Sequence, residues 1–244
     1  MFEKERDKYL NKHGFEKMHL KAVLFDMDGV LFDSMKNHAE AWSKAMTQMG
    51  FHFPKSEAYM HEGRTGTGTI NIVTQRELKR DATEEEKEQI YKIKSDYFNS
   101  LPKAEPMPGA LELLEKLKAD QITPILVTGS AQKSLIGRLN QHFPNTFVPE
   151  LMVTAFDVKY GKPNPEPYLI GKRKGNLELN EGIVVENAPL GIESSSKAGF
   201  FTVAVNTGPL DNKILLDAGA NLLFPSMQEL ASHWSELRKC LQQP

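Results

Sequence analysis

The chain has 244 residues, 40% of them hydrophobic and 25% charged, enough for one substantial core and a smaller second one. Its formal charge of −2 lacks the basic footprint of a nucleic-acid binder and gives no reason to expect a membrane surface. The start, Met1-Phe-Glu-Lys-Glu-Arg-Asp-Lys8, is charged where a secretory leader is apolar, no run is long enough to span a bilayer, and the single cysteine, Cys240, forbids an intrachain disulfide, so a cytoplasmic protein is expected.

In chain order, residues 1–19 read as a polar extension, partly helical and without a motif. An apolar strand over residues 22–25 runs straight into Asp26-Met-Asp28-Gly29, two acids one residue apart that alternation points the same way, with a glycine to turn the loop. Residues 36–101 have apolar positions three and four apart (Trp42, Ala45, Met46, Met49; Ile90, Ile93, Tyr97, Leu101) and no credible strand, which predicts a helical insertion. Pro102, Pro106 and Pro108 mark the return, and the other crossing falls near Asp33 to Met35. Beyond residue 102 short apolar strands alternate with helices: Ile122 to Val127, then Gln132 to Phe143; Leu151 to Val153, then Glu166 to Lys174; Ile183 to Val185, then Leu190 to Ala198. Val203 to Val205, Leu222 to Phe224 and a helix from Met227 to Leu241 complete the set, with Cys240 a packing residue on that last helix. This is the rhythm of an α/β fold with a parallel sheet and crossover helices, divided into an extension (1–19), a core (20–35 and 102–244) and a helical insertion (36–101).

Four loops at strand carboxyl ends carry polar groups that make chemical sense together, since ligands of open α/β sheets bind there. Asp26 and Asp28 form the first. In the second, Thr128-Gly129-Ser130 offers a hydroxyl and free amides suited to an anion. The third, Gly161-Lys162-Pro163, fixes one cation on a stiffened loop. Glu186-Asn187 in the fourth supplies oxygen ligands that suit a hard cation such as Mg²⁺. Read singly, each has an ordinary explanation: Thr128 as a helix N-cap, Lys162 as a surface lysine, Glu186 and Asn187 as acceptors for local amides. His38 is either a substrate contact or a satisfied interior histidine, and Glu62 either a site residue or a surface charge. The run Gly63-Arg-Thr-Gly66-Thr-Gly68 follows no strand and lacks a Gly-Lys-Ser/Thr ending, so it reads as a substrate-facing loop, not a nucleotide loop.

Together, Asp26-Met-Asp28-Gly29-Val30, Thr128, Gly161-Lys162-Pro163 and Glu186-Asn187 resemble the haloacid dehalogenase superfamily, in the branch containing β-phosphoglucomutase, over residues 20–240. The resemblance implies a Rossmann-like core with a cap inserted after the first motif, and Mg²⁺-dependent phosphohydrolysis through an aspartyl-phosphate. By it, Asp26 is the nucleophile, Asp28 the acid/base, Thr128, Gly129, Ser130 and Lys162 the phosphoryl cradle, and Asp26, Asp28, Asn187 and Glu186 the metal seat. Glu62, Arg64 and His38 would face the substrate from the cap. The mutases carry cations where this chain has Glu62, Gly66 and Ala131, which weakens the grip on a distal phosphate. The Glu62 loop, the neutral Asn187 and the runs Met152 to Tyr168 and Ala204 to Leu210 are similar to the inorganic pyrophosphatases of the same branch. The expectation is therefore a monomeric pyrophosphatase, with β-phosphoglucomutase or small sugar-phosphate phosphatase as the alternative, acting on a small phosphorylated substrate without nucleic acid or membrane.

Overall fold

In the computed structural model, residues 2–131 and 133–243 are described, without the side chains of residues 133–136. The chain opens with α1 (Glu3–His13), then β1 (Ala22–Phe25), the four helices α2 (Met35–Gln48), α3 (Lys55–Met60), α4 (Gly66–Leu78) and α5 (Glu84–Ser100), and α6 (Ala110–Ala119). There follow β2 (Thr123–Val127), α7 (Lys133–His142), β3 (Met152–Val153), α8 (Glu166–Lys174), β4 (Gly182–Glu186), α9 (Pro189–Lys197), β5 (Phe201–Val205), α10 (Asn212–Asp217), β6 (Leu222–Phe224) and α11 (Met227–Gln242). Gln132, the expected start of α7, lies outside the described residues. The helices α6 and α10 add to the elements that the sequence pattern predicts.

The six strands form one parallel sheet in the order β3-β2-β1-β4-β5-β6. Its register sets Phe25 beside both Leu126 and Val185. The central strands are buried on both faces, which is why β1 and β4 read as unbroken apolar runs and not as alternating ones. On one face Phe25, Leu126, Val185 and Trp234 pack with α6, α7 and α11; on the other, Leu24, Val184 and Tyr168 pack with α8. Strand order reverses at β1, and such a reversal opens a crevice at the carboxyl end of the strand. Asp26 is the next residue.

The extension is more than a polar tail. Phe2, Tyr9 and Leu10 are buried, Arg6 Nη1 donates to the Cys240 carbonyl, and the Tyr9 hydroxyl donates to the carbonyls of Leu179 and Gly199. Cys240 is itself buried, as a packing residue should be. The helices α2 to α5 gather round their own apolar cluster, with Ala45, Met46, Phe53, Ile70, Val73 and Ile90 at its centre. Thr83 and Glu86 close a reciprocal capping box at the start of α5, satisfying donors that the first helical turn leaves orphaned. Where the chain passes between this cluster and the sheet, Asp33 N–H bonds the Glu105 carbonyl and Met107 N–H the Leu31 carbonyl, so the two crossings run side by side. No helix among the described residues is long and apolar enough to cross a membrane.

Candidate active site

The sheet delivers Asp26 directly: its N–H still bonds the Val185 carbonyl, and its side chain leaves the strand into the crevice. Lys162 reaches it from the loop before α8. The ammonium, fully buried, donates to Asp26 Oδ1 (2.5 Å), Glu186 Oε1 (2.6 Å) and the Val127 carbonyl (3.0 Å), which uses all three of its protons. Glu186 is held on both oxygens. Its Oε1 also accepts from the Tyr168 hydroxyl at 2.8 Å, and its Oε2 accepts the N–H groups of Asn187 and Ala188. Glu186, expected in the metal seat, here positions Lys162 and the Asn187 loop with its two oxygens.

Asp28 turns to the other side. Its Oδ1 accepts from Ser34 Oγ at 2.6 Å and meets His38 Nε2 at 3.0 Å, while His38 Nδ1 lies 3.0 Å from Lys94 Nζ on α5. Lysine has no lone pair when charged, so His38 accepts at Nδ1 and its proton sits on Nε2, facing Asp28. Burial alone would raise the Asp28 pKa, but His38, Ser34 and Lys94 hold it below the ordinary carboxylate value. Burial drives His38 down, with Lys94 adding to the shift, and drives Lys94 down to about 7. Lys94 sits over the rings of Trp42, Tyr91 and Phe98 at 5.1 to 5.6 Å.

Glu62 also arrives inside. It is buried, and its Oε1 accepts from Asn187 Nδ2 at 2.6 Å. Desolvation pushes its pKa well above the usual range; the Asn187 bond opposes this, while the charges of Asp26, Glu186 and Asp28 reinforce it. Asp26 rises to about 8, through burial first, which Lys162 opposes and Glu186 and Asp28 reinforce. Thr128 Oγ1 accepts from Ser130 N–H at 3.0 Å, forming a tight local turn, and Thr128, Gly129 and Ser130 line the same cavity as Asp26, Glu62 and Arg64. Arg64 is half-buried and its Nε has no partner. The pocket between these groups has a volume of about 50 Å³.

One observation bears on a cation. Asn187 Oδ1 is buried and accepts nothing, an uncommon state for a buried oxygen, while its Nδ2 bonds Glu62, whose carboxyl is coupled electrostatically to Asp26, Glu186 and Asp28. Among the described residues no three His, Cys, Asp or Glu side chains converge as a ligand cluster, so a cation here would have to use mixed oxygen donors. That donor set suits a hard divalent ion.

Sequence reasoning missed Ser34, Lys94, Tyr91 and Tyr168. For Lys94 a signal was present: it occupies the buried stripe of α5 between Ile90 and Phe98, where a charge is out of place unless it is used. Tyr91, three residues earlier, meets the Ala131 backbone, and burial above all raises its pKa to about 12. A Cβ added at Gly66 would lie 2.5 Å from its ring. Tyr91 thus fills space beside positions 66 and 131.

A buried carboxylate–lysine pair at the switch point of a parallel sheet, roofed by an inserted helical cap, defines a capped α/β enzyme. The chain belongs to the haloacid dehalogenase-like hydrolases, whose family model matches residues 23–205. It is a phosphatase-type enzyme of the β-phosphoglucomutase-like branch. It is 30% identical to hexitol phosphatase A of Escherichia coli, over 87% of this chain and 94% of that one. It is also 30% identical to a phosphorylated carbohydrates phosphatase of Thermotoga maritima, over 82% and 92%. A solved structure from Bacteroides vulgatus, carrying a provisional β-phosphoglucomutase name, is 58% identical with a TM-score of 0.96, covering 99% of this chain and 98% of the other.

Proposed function

We propose that the chain hydrolyses small phosphorylated compounds through an aspartyl-phosphate at Asp26, within an extension, core and cap bounded at residues 19, 35 and 101. The observation that carries the reading is the buried Lys162–Asp26 pair at the end of β1. Asp26 attacks phosphorus as the carboxylate, the bond to the leaving oxygen breaks, and Asp28, ionised in the resting site and loaded with a proton passed from Lys94 through His38, gives that oxygen the proton. Asp28 then takes a proton from water, whose oxygen attacks the phosphorus and frees Asp26 and phosphate. As the Asp26 carboxylate turns to phosphorus, Lys162 gives up that bond, and its freed proton together with the 128–130 loop holds the phosphoryl oxygens during both steps. His38, with Lys94 behind it, orients Asp28 and keeps its proton within reach. Asp26, the Asp28 carbonyl and Asn187 Oδ1 would hold Mg²⁺, which supplies charge neutralisation so that one anion can approach another.

The leaving group is read in two ways, on different observations. The named relatives act on hexitol phosphates and phosphorylated carbohydrates, which backs a sugar- or polyol-phosphate phosphatase better than a pyrophosphatase. The second reading, pyrophosphate, rests on the resemblance of the Glu62 loop and the neutral Asn187, with Glu62 and Tyr91 lining a small pocket of about 50 Å³. A mutase would have to hold its second phosphate with Arg64, which lines the same pocket, since Tyr91 stands beside positions 66 and 131.

A phosphate-release screen with Mg²⁺ over pyrophosphate, hexose and hexitol phosphates, β-glucose 1-phosphate with its bisphosphate, and an aryl phosphate separates these readings. Rapid interconversion of β-glucose 1-phosphate and glucose 6-phosphate without net phosphate release would defeat the hydrolase reading. Chelation is expected to abolish activity and Ca²⁺ to inhibit, its larger and looser shell misplacing the reacting atoms. Full turnover in excess chelator rejects the metal seat. Glu62→Ala is expected to lower kcat/KM by about 10²-fold for the physiological substrate, and far less for an aryl phosphate, whose leaving group needs little help from the cap. A uniform loss across all substrates would remove Glu62 from substrate selection.

A further inference from the structure

Three core loops present a glycine to the cap loop at residues 62–65. A Cβ added at Gly129 would lie 2.1 Å from the Gly63 carbonyl oxygen; at Gly161, 2.6 Å from Thr65 Cγ2 and 3.1 Å from Thr65 N; at Gly29, 2.1 Å from Asn187 Nδ2 and 3.0 Å from Glu62 Oε1. Gly29 has a φ of +79°, so its backbone alone accounts for the residue. Gly129 and Gly161 are outside the positive-φ set, and any side chain could adopt their backbone. Only the approach of the cap requires them to be bare.

We infer that Gly129 and Gly161 are positioning residues that set how deeply the cap loop seats, and through it whether Glu62 reaches Asn187. Glu62 is adjacent to Gly63, and its 2.6 Å bond to Asn187 tolerates little displacement. At Gly129 the obstacle is backbone, which cannot rotate away, so a methyl there moves the 63–64 segment outward by roughly 1 Å. A shift of that size at a reacting centre costs about 10²-fold in rate. At Gly161 the obstacle is chiefly one methyl of Thr65. That methyl is separable from the helix cap, since Thr65 Oγ1 alone accepts Gly68 N–H at 3.3 Å.

Gly161 neighbours Lys162 and Gly129 belongs to the phosphoryl cradle, so either loss could also come from a displaced lysine or cradle; a compensating substitution separates the causes at Gly161, and exchange of the cap loop without substrate separates them at Gly129. Thr65→Ser removes the methyl and keeps the capping oxygen. Gly129→Ala and Gly161→Ala are each expected to lower kcat/KM by about 10- to 100-fold with melting temperature unchanged. Thr65→Ser alone should be near wild type, and Gly161→Ala with Thr65→Ser should recover most of the loss. Hydrogen exchange of residues 61–68 should be faster in both alanine variants and restored in the double variant. Wild-type activity and protection in both alanine variants, or a double variant no better than Gly161→Ala, overturns the inference. It rests on the phosphohydrolase reading for its assay only: a wild-type protein without phosphatase activity defeats that reading, and the exchange comparison still decides this one.

Discussion

Asp26→Asn is expected to abolish steady-state turnover while leaving the fold intact, because an amide cannot take the phosphoryl group and yet retains the shape and the Lys162 contact of the carboxylate. Asp28→Asn should lower kcat by about 10²- to 10⁴-fold, the range that a positioned acid/base supplies. The two losses differ in kind. Asp28→Asn still forms the covalent intermediate with a good leaving group, so an aryl phosphate should give a burst of one phenol per active site followed by slow release of phosphate. Steady-state assays beside stopped-flow absorbance check both, with deamidation of the introduced amide excluded by mass spectrometry. Multiple turnovers by intact Asp26→Asn contradict the assignment, and a full burst in that variant contradicts it equally.

The second large effect is on stability as well as rate. Lys162→Met removes the ammonium that Asp26 and Glu186, both buried, share between them. Breaking a buried pair by deleting one partner costs about 3–5 kcal/mol, since the remaining charge has neither water nor counterion. Here two carboxylates lose their partner, and the Tyr168 hydroxyl is left bonded to an acid with no cation beside it. We expect a fall of about 3 kcal/mol or more in unfolding free energy by denaturant titration, with kcat lowered at least 10²-fold in the folded fraction. Asp26→Asn with Lys162→Met should be less than additive in stability, because the neutral amide no longer needs the cation. A loss under about 1 kcal/mol would show that the acids simply protonate and that the lysine is not what holds the cluster together.

How far the site could be read in the sequence follows from where each residue's partners lie. Asp26, Asp28, Lys162 and Asn187 each follow an apolar strand or precede a helix, so local pattern fixes their place at the carboxyl edge of the sheet before any tertiary contact is known. The helix over Glu166–Lys174 and the strand Leu222–Phe224 were legible residue for residue for the same reason. Roles set by distant partners were not. For Glu186, nothing local shows that Lys162, 24 residues away, and Tyr168, 18 away, share one of its oxygens. Lys94 lies 56 residues from His38, and only the fold brings them within 3.0 Å. The buried face of α1 escaped because Arg6 and Tyr9 bury long side chains while keeping polar ends satisfied, which hydropathy scores as surface. The short helix α10 has one buried residue, Leu215, and so no period to detect.

Chemistry on Asp26 is the claim on which the remaining account depends, and capture of the covalent intermediate tests it most directly. Wild-type enzyme mixed with a single-turnover amount of its best substrate, quenched in acid within milliseconds and digested, should yield the peptide spanning residues 22–36 with one phosphoryl group on Asp26; the same peptide from Asp26→Asn should carry none. Substrate turnover during the quench window with no phosphopeptide, or with the phosphoryl group on Asp28, would contradict the mechanism.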